Sequence, residues 1–419
     1  MSLTAARLDM AVAAWRVIAP LNEPADNLLR CHFRDHPELG MHERGFIADA
    51  LFGMLRHRRF IEYLAGSTSP RRLVLAYLVK LSGLNLREIE PLPSRDEMKW
   101  LRKIKAQSMD DLPLAIQSEF PDWLMEKLKS FMPDAEILAL GRGMQNPAPL
   151  DLRVNTIRTS REEVLHSLAS EGIAAQPTPY SPTGIRLNHK ISLNRHALFL
   201  SGKVEVQDEG SQLICYLLAP RRNEMIVDFC AGSGGKALLL GAMMQNHGRV
   251  YAFDVSDKRL VNLKPRLKRS GLSNIHPQRI AHENDAKIKR LAGKIDRVLV
   301  DTPCSGLGTL RRNPDLKWRQ SAQSIVELKQ KQALILERAA SLLKSGGRLV
   351  YATCSILPEE NEEIVDGLLR QHPQFKQIHC GGILAQQSIA LDTGASLRIL
   401  PHTHHTDGFF AAVMEKSNA

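Results

Sequence analysis

From Gly202 to near the C-terminus, short β-branched apolar runs alternate with helical patterns, and this alternation restricts the fold more tightly than any other feature of the chain. The clearest runs are residues 226–229, 250–253, 298–300 and 349–351. Apolar runs without polar alternation belong to strands buried on both faces, which a parallel sheet covered by helices provides. Strands separated by helical patterns form βαβ units, so the expectation for 202–419 is an open α/β sheet that is mainly parallel. Open sheets of this kind bind ligands beyond the C-terminal ends of their strands. Two of the runs lead into a thiol there, Asp301-Thr302-Pro303-Cys304 after the third and Thr353-Cys354-Ser355 after the fourth. Two thiols in one crevice point to covalent chemistry.

The rest of the chain reads differently. At 419 residues the length suggests two or three domains. In residues 1–140 Leu8, Val12, Trp15 and Ile18 recur at helical spacing, as do Ile47, Leu51, Met54 and Leu55, while Pro20, Pro24, Pro70, Pro91 and Pro93 divide the stretch into short helices. The expectation is a small all-helical domain. Two basic clusters lie on it, Arg56-His57-Arg58-Arg59 and Lys99, Arg102, Lys103 and Lys105 around Trp100. Each is either a solvated helix face or a set of phosphate contacts.

Residues 145–201 form a small α/β module, with a Pro-rich linker at 146–149, a strand at 150–157, a Ser160-capped helix at 160–171 and a strand at 184–187. Arg153 and Asn155 stand in its first extended segment, as RNA-backbone contacts or as structural residues.

Charge narrows the partner. Lys and Arg number 56 against 45 Asp and Glu, a net +11, which favours a nucleic acid over an acidic small molecule. No run reaches the ~18 apolar residues of a membrane span, and the N-terminus lacks a signal peptide's uninterrupted core. The six cysteines include no Cys-x-x-Cys pair, which fits a reducing compartment and argues against structural zinc. His402, His404 and His405 lack the cysteine or carboxylate spacing of a metal site, and a solvated loop is expected there. These features predict a soluble cytoplasmic monomer that works without a metal or a membrane.

The run at 226–229 opens a second set of candidates. It leads into Cys230, Ala231, Gly232, Ser233, Gly234, Gly235 and Lys236, and then into a helical pattern at 237–244. A glycine turn lets a ligand approach the backbone closely, and the helix beyond it presents free N–H groups. The spacing satisfies neither G-x-G-x-x-G nor G-x-x-x-x-G-K, which sets aside a dinucleotide fingerprint and a P-loop. Asp254 ends the next strand about 20 residues on, where a carboxylate accepts ribose hydroxyls. Asp285 follows the strand after that, within reach of an adenine amino group. A glycine turn followed by acids after the second and third strands is the layout of S-adenosylmethionine-dependent methyltransferases.

The acceptor is read from the thiols. Carbon-5 of a pyrimidine is a poor nucleophile until a thiolate adds to carbon-6 and makes it enamine-like. Asp301-Thr302-Pro303-Cys304 stands where amino-group methyltransferases carry an Asp/Asn-Pro-Pro-aromatic clamp. With Arg311, Arg312, Asn313, Pro314, Asp315, Leu316, Lys317, Trp318 and Arg319 behind it, this stretch resembles the fourth motif of the RsmB-type (Sun/NOP family) RNA cytosine-5 methyltransferases. Residues 353–362, from Thr353 and Cys354 through Glu359, Glu360 and Asn361, resemble the sixth, and 202–212 and 399–410 resemble flanking segments. Residues 44–47 and 51–56 are similar to the NusB-like domain of RsmB-type enzymes.

The resemblance implies a Rossmann-like class I methyltransferase domain at 202–419, a small α/β RNA-binding module at 145–201 and an all-α NusB-like domain at 1–140. It implies Cys354 as the nucleophile on carbon-6, Cys304 as the residue that assists breakdown of the adduct, and Asp301 at the cytosine ring nitrogen. Cys230 to Lys236, Asp254, Asp285 and Asp301 would hold S-adenosylmethionine. Arg153, Asn155, Arg311, Arg312, Lys317 and Arg319 would meet RNA, with ribosomal RNA the leading substrate. Transfer RNA is the alternative within the class, and a non-catalytic ribosome assembly factor is the alternative outside it. A DNA cytosine-5 enzyme uses its fourth-motif cysteine to attack and does not call for Cys354. The glycine turn departs from the family's usual Ala-Pro-Gly-Gly-Lys-Thr by reading Gly232-Ser233-Gly234-Gly235-Lys236-Ala237, which predicts a looser cofactor loop.

Overall fold

The computed structural model describes residues 3–110 and 112–418. Its contacts divide the chain into two units, one of 1–147 with 309–322 and one of 148–308 with 323–419.

The first unit is helical. Its longer helices are Ala5–Ile18, Ala25–Asp35, Met41–Arg56, Pro70–Lys80, Arg95–Ala106 and Asp134–Gln145. Prolines start helices here: Pro24 sits at the N-cap of one, and Pro70 in the first turn of another, where a missing N–H is harmless. Ser94 and Glu97 close a capping box at the start of Arg95–Ala106. Leu8, Val12, Trp15, Ile18, Ile47, Leu51, Met54 and Leu55 are all buried in one core, the faces that helical periodicity marks.

The sequence did not indicate that 309–322 belongs to this unit. Its short helix Leu316–Arg319 is held by Trp318 Nε1 donating to Leu55 O at 2.8 Å and by Lys317 Nζ donating to Arg56 O at 2.9 Å. The Ala25 amide donates to Asp315 Oδ2 at 3.2 Å. Arg311 and Lys317 are therefore buried rather than presented to RNA, which corrects their expected role. Arg312 is half-buried, and Arg319 is exposed beside Asp315 at 3.5 Å. Beneath the segment lies buried Glu119, which accepts from the Arg59 and Phe60 amides. Burial pushes its carboxyl up to about 7, Lys317 down to about 8 and the neighbouring His57 down to about 3. The cluster at 56–59 is thus largely built into the fold. Lys99, Arg102, Lys103 and Lys105 stay exposed.

The second unit contains two sheets. The small one has strands β1 (Leu150–Val154), β2 (Ala175–Pro177), β3 (Gly184–Leu187) and β4 (Val204–Val206), in the order β2-β3-β1-β4. The helix Arg161–Ser170 packs on it behind a Ser160/Glu163 capping box. β4 pairs with β1, Leu152 opposite Val206, so this sheet runs past the boundary expected at residue 201.

The large sheet is made of β5 (Met225–Asp228), β6 (Arg249–Asp254), β7 (Ile275–Arg279), β8 (Ile295–Asp301), β9 (Leu343–Thr353), β10 (Phe375–Ile378), β11 (Leu397–Ile399) and β12 (Phe409–Lys416). Its order is β10-β12-β9-β8-β5-β6-β7, with β11 on β12. Strands β5 to β9 are parallel, and β12 runs antiparallel to β9. This is a Rossmann-like sheet with a reversed closing strand. Alternate residues enter two cores: Ile226, Leu299 and Val350 on one face, Val227, Val298, Val300 and Tyr351 on the other. Burial on both faces is why these strands read as continuous apolar runs. The connection after β5 runs to β6 on one side and the connection after β8 runs to β9 on the other, which opens a crevice at the C-terminal ends of β5 and β8. Among the described residues no helix is long and apolar enough to cross a membrane.

Candidate active site

The crevice at these strand ends is a cleft of ≈ 520 Å³. β8 and β9 run in register with Asp301 opposite Ala352, so Cys304 and Cys354 leave adjacent strands at the same height. Their sulfurs lie 3.3 Å apart, far inside the ~10 Å that one pyrimidine could bridge, and both line the cleft. The hydrogen bond with Cys354, reinforced by burial, holds the Cys304 thiol well above its ordinary range.

The loops carrying the thiols are stitched together. Gly308 N donates to Cys354 O at 2.8 Å, and Gly408 N to Gly308 O at 2.8 Å. A Cβ on Gly308 would stand 2.2 Å from Gly408 O, so only glycine allows this crossing. Lys236 Nζ reaches Asp301 Oδ2 at 2.6 Å. Burial alone would push the Lys236 ammonium down, but the Asp301 carboxylate outweighs it and holds the lysine above its usual range.

On the other side of the cleft the glycine turn follows β5. Gly234 has φ +79°, and a Cβ there would meet Leu263 at 2.1 Å. Three hydrogen bonds reach the turn from its neighbours. Gly232 N donates to Asp254 Oδ2 at 2.8 Å, Arg266 to Ser233 O at 2.8 Å, and Arg153 to Gly235 O.

Most of the sequence candidates meet here: Cys230, Ala231, Gly232, Ser233, Gly235, Lys236, Asp254, Asp301, Cys304 and Cys354 all line the cleft. Burial keeps the Cys230 thiol far above its ordinary range. Gly234 shapes the turn from behind it. Asp285 is absent from the lining; it caps the short helix Ala286–Lys289, and its carboxylate accepts from the Ala281 and Lys287 amides at 2.9 and 2.8 Å. The acid of that loop on the cleft is Glu283.

Arg153 and Asn155 are corrected outright. They are 3% and 4% exposed, too buried for RNA to reach. Arg153 bridges Gln207 Oε1 and Gly235 O, while Asn155 Nδ2 donates to Gly202 O at 2.9 Å and Ser270 O at 3.0 Å. Both fasten the small sheet to the cofactor side of the same unit.

Sequence reasoning also missed Asp228, although an acid ending an apolar strand before a glycine turn is a visible signal. Asp228 is buried, lines the cleft, and neither carboxylate oxygen completes a hydrogen bond. Burial, with Asp301 nearby, pushes it up to about 7 against the pull of Lys236. A buried acid without a partner calls for a ligand that donates hydrogen bonds or carries positive charge. Asp254 uses two of its roughly four lone-pair directions on the Gly232 and Ser256 amides, leaving the others for hydroxyls. Val255, Ile280 and Ile335 supply apolar walls. These residues fit S-adenosylmethionine, with its ammonium, ribose hydroxyls and flat base. Among the described residues no cluster of His, Cys, Asp and Glu could hold a metal.

Comparisons with known proteins agree with this site. A family model described as 16S rRNA methyltransferase RsmB/F matches residues 215–415, and a ferredoxin-like domain model of RsmF/B-like methyltransferases matches 120–194. The chain is 33% identical to a probable ribosomal RNA small subunit methyltransferase B of Synechocystis sp., over 91% of this chain and 93% of the relative. It is 35% identical to ribosomal RNA small subunit methyltransferase B of Yersinia pseudotuberculosis, over 75% of this chain and 72% of the relative. The crystal structure of a methyltransferase homologue from Pyrococcus horikoshii superposes with TM-score 0.63 at 26% identity, covering 74% of this chain and 100% of that one.

Proposed function

The chain belongs to the RsmB/F family of 16S rRNA methyltransferases, and on that premise we propose that it methylates carbon-5 of a cytosine in ribosomal RNA through a covalent adduct of Cys354 with carbon-6. The observation that carries the reading is the pair of thiols 3.3 Å apart at adjacent strand ends, facing one cleft with the Lys236–Asp301 pair. Amino-group or ribose methylation has no use for two thiols in this position.

The target base is turned out of its stack into the cleft. The Cys354 sulfur bonds to carbon-6, and negative charge develops toward ring nitrogen N3. A proton passed from the Lys236 ammonium through the Asp301 carboxylate to that nitrogen neutralises the charge where it forms. Asp228, the 230–236 turn and Asp254 would hold S-adenosylmethionine, whose sulfonium would supply the methyl for the enamine-like carbon-5. Cys304 then gives its thiol proton to the departing Cys354 sulfur and takes up the carbon-5 proton in its place, the carbon-5 electron pair re-forms the ring double bond, and the N3 proton returns through Asp301 to Lys236. Cys304, in contact with that sulfur, assists this last step. Arg312, Arg319 and the exposed Lys99, Arg102, Lys103 and Lys105 are the proposed phosphate contacts, now that Arg153, Asn155, Arg311 and Lys317 are accounted for structurally.

Incubating the protein with methyl-labelled S-adenosylmethionine and unmethylated 16S rRNA tests the reading. The expected product is a single bisulfite-resistant cytosine carrying the label. Label on an amino group, on ribose or on transfer RNA alone contradicts it.

A further inference from the structure

We propose that Glu360 is the positioning residue that sets the Cys304–Cys354 geometry, by holding both cysteine loops with one carboxylate. Glu360 is 0% exposed and is not part of the cleft lining. Its Oε1 accepts from the Ser305 amide at 2.8 Å and from Gln332 Nε2 at 2.9 Å. Its Oε2 accepts from the Ser305 hydroxyl at 2.5 Å and from the Ser355 hydroxyl. Ser305 directly follows Cys304, and Ser355 directly follows Cys354, so one side chain grips the neighbours of both sulfurs.

Three further bonds hold the backbone on either side of that carboxylate. Tyr351 on β9 donates its hydroxyl to Glu360 O at 2.6 Å. Asn361 accepts from the Thr353 hydroxyl at 2.6 Å and donates to Ser355 O at 3.2 Å. Gln332, from the helix Ala322–Ala340, also donates to Pro303 O at 3.0 Å, which ties the same network to the residue before Cys304.

A carboxylate offers about four acceptor directions, and here four donors fill them. Glu360 therefore has no capacity left for substrate and acts through the loops alone. An apolar contact could join two loops as stably, because burying a charge is costly. What a filled carboxylate adds is direction: each loop is fixed at a stated atom, and reacting groups lose about 10²-fold in rate when misplaced by about 1 Å. The loops of Cys304 and Cys354 come from strands 50 residues apart in sequence, and their agreement to within a sulfur contact rests on this acceptor.

The inference rests on the proposed two-thiol chemistry, and its test separates the two. Glu360→Gln keeps the shape but turns one acceptor into a donor facing Ser305 or Ser355. In the full-length protein the variant is expected to bind S-adenosylmethionine within threefold of wild type and to keep its RNA KM within threefold. Its kcat is expected to fall by roughly 10²-fold. RNA covalently bound to protein is expected to accumulate although both cysteines are intact, because Cys304 no longer meets the adduct sulfur. Ser305→Ala and Ser355→Ala, each removing one grip, are expected to show the same pattern at lower amplitude and carry the test if Glu360→Gln misfolds. A readout without RNA accompanies these: the pH at which Cys304 becomes alkylated by iodoacetamide, followed by mass spectrometry, is expected to move down in Glu360→Gln. Unchanged kcat and unchanged Cys304 alkylation overturn the inference, as does a uniform loss of cofactor affinity, RNA affinity and rate, the mark of a merely structural residue. If wild-type protein methylates no carbon-5, the parent reading fails, while the alkylation shift still decides the role of Glu360.

Discussion

Replacing Arg153 by alanine separates the structural role of this residue from the RNA contact that its position in an extended basic segment suggests. The guanidinium donates to Gln207 Oε1 and Gly235 O, and it is almost fully buried. Two hydrogen bonds from a charged donor contribute roughly 3–6 kcal/mol together. Burial offsets part of this: it lowers the arginine from 12.5 to about 10, which at about 1.4 kcal/mol per unit is about 3 kcal/mol. Alanine removes both effects, but it also leaves a cavity and two buried acceptors without a donor, at about 1–3 kcal/mol each. The net loss comes to at least about 2 kcal/mol, or a fall of at least roughly 4 °C in the melting temperature of the second unit. Because Gly235 O belongs to the glycine turn, affinity for S-adenosylmethionine is expected to drop about tenfold, the equivalent of about 1.4 kcal/mol. Calorimetric melting, cofactor titration and filter binding of 16S rRNA fragments give the three numbers. RNA affinity is expected to stay within twofold. A tenfold loss of RNA affinity with unchanged melting and cofactor binding would refute the assignment.

Two other perturbations test the two units separately. Asp254→Ala removes the carboxylate that fixes Gly232 and Ser256, and is expected to weaken cofactor binding by 10²-fold or more, about 2.7 kcal/mol, with RNA affinity unchanged; retained cofactor affinity in a titration contradicts the assigned site. In the helical unit His57 is held down to about 3 from 6.5 by burial, with Lys317 and Arg56 adding to it. A base lowered in the folded state stabilises the fold fully above pH 6.5 and loses that contribution as pH falls toward 3, while Glu119, raised to about 7 from 4.5, loses its contribution as pH rises from 4.5 to 7. All four tryptophans, Trp15, Trp100, Trp123 and Trp318, belong to this unit, so their fluorescence reports its unfolding. His57→Leu is expected to reduce the acid-side loss by a few kcal/mol; an unaltered fluorescence profile between pH 6.5 and 4 contradicts the buried neutral imidazole.

What was legible in the sequence was whatever depends on local period and on strand ends. The runs at 298–300 and 349–351 fall within β8 and β9, the run at 226–229 overlaps all but the first residue of β5, and the two thiols follow the strand ends as expected, because double-sided burial writes itself into the sequence as apolar stretches. Contacts between distant segments were not legible. Arg153 and Asn155 bond to residues 82 and 115 positions away, and a basic residue in a strand looks the same whether it faces RNA or a neighbour's carbonyl. β4 has three residues, too few to show a period, so the small sheet was closed too early in the chain. The segment 309–322 follows Cys304 in a catalytic motif, and only the Trp318 and Lys317 bonds reveal that it packs with the helical unit. Asp285 and Glu283 are two residues apart, and helix capping by the first turns the second toward the cleft, a choice that local backbone geometry makes.

The roles of the two sulfurs carry the account, and the most direct test is a pair of substitutions read on one denaturing gel with labelled 16S rRNA and S-adenosylmethionine. Cys354→Ala is expected to bind RNA, transfer no methyl and form no denaturation-resistant band. Cys304→Ala is expected to stall after methyl transfer, leaving a shifted RNA–protein adduct that a nuclease collapses to the size of the protein. An adduct in Cys354→Ala with none in Cys304→Ala would reverse the assignment, and methyl transfer by both variants without any adduct would remove covalent catalysis from this site.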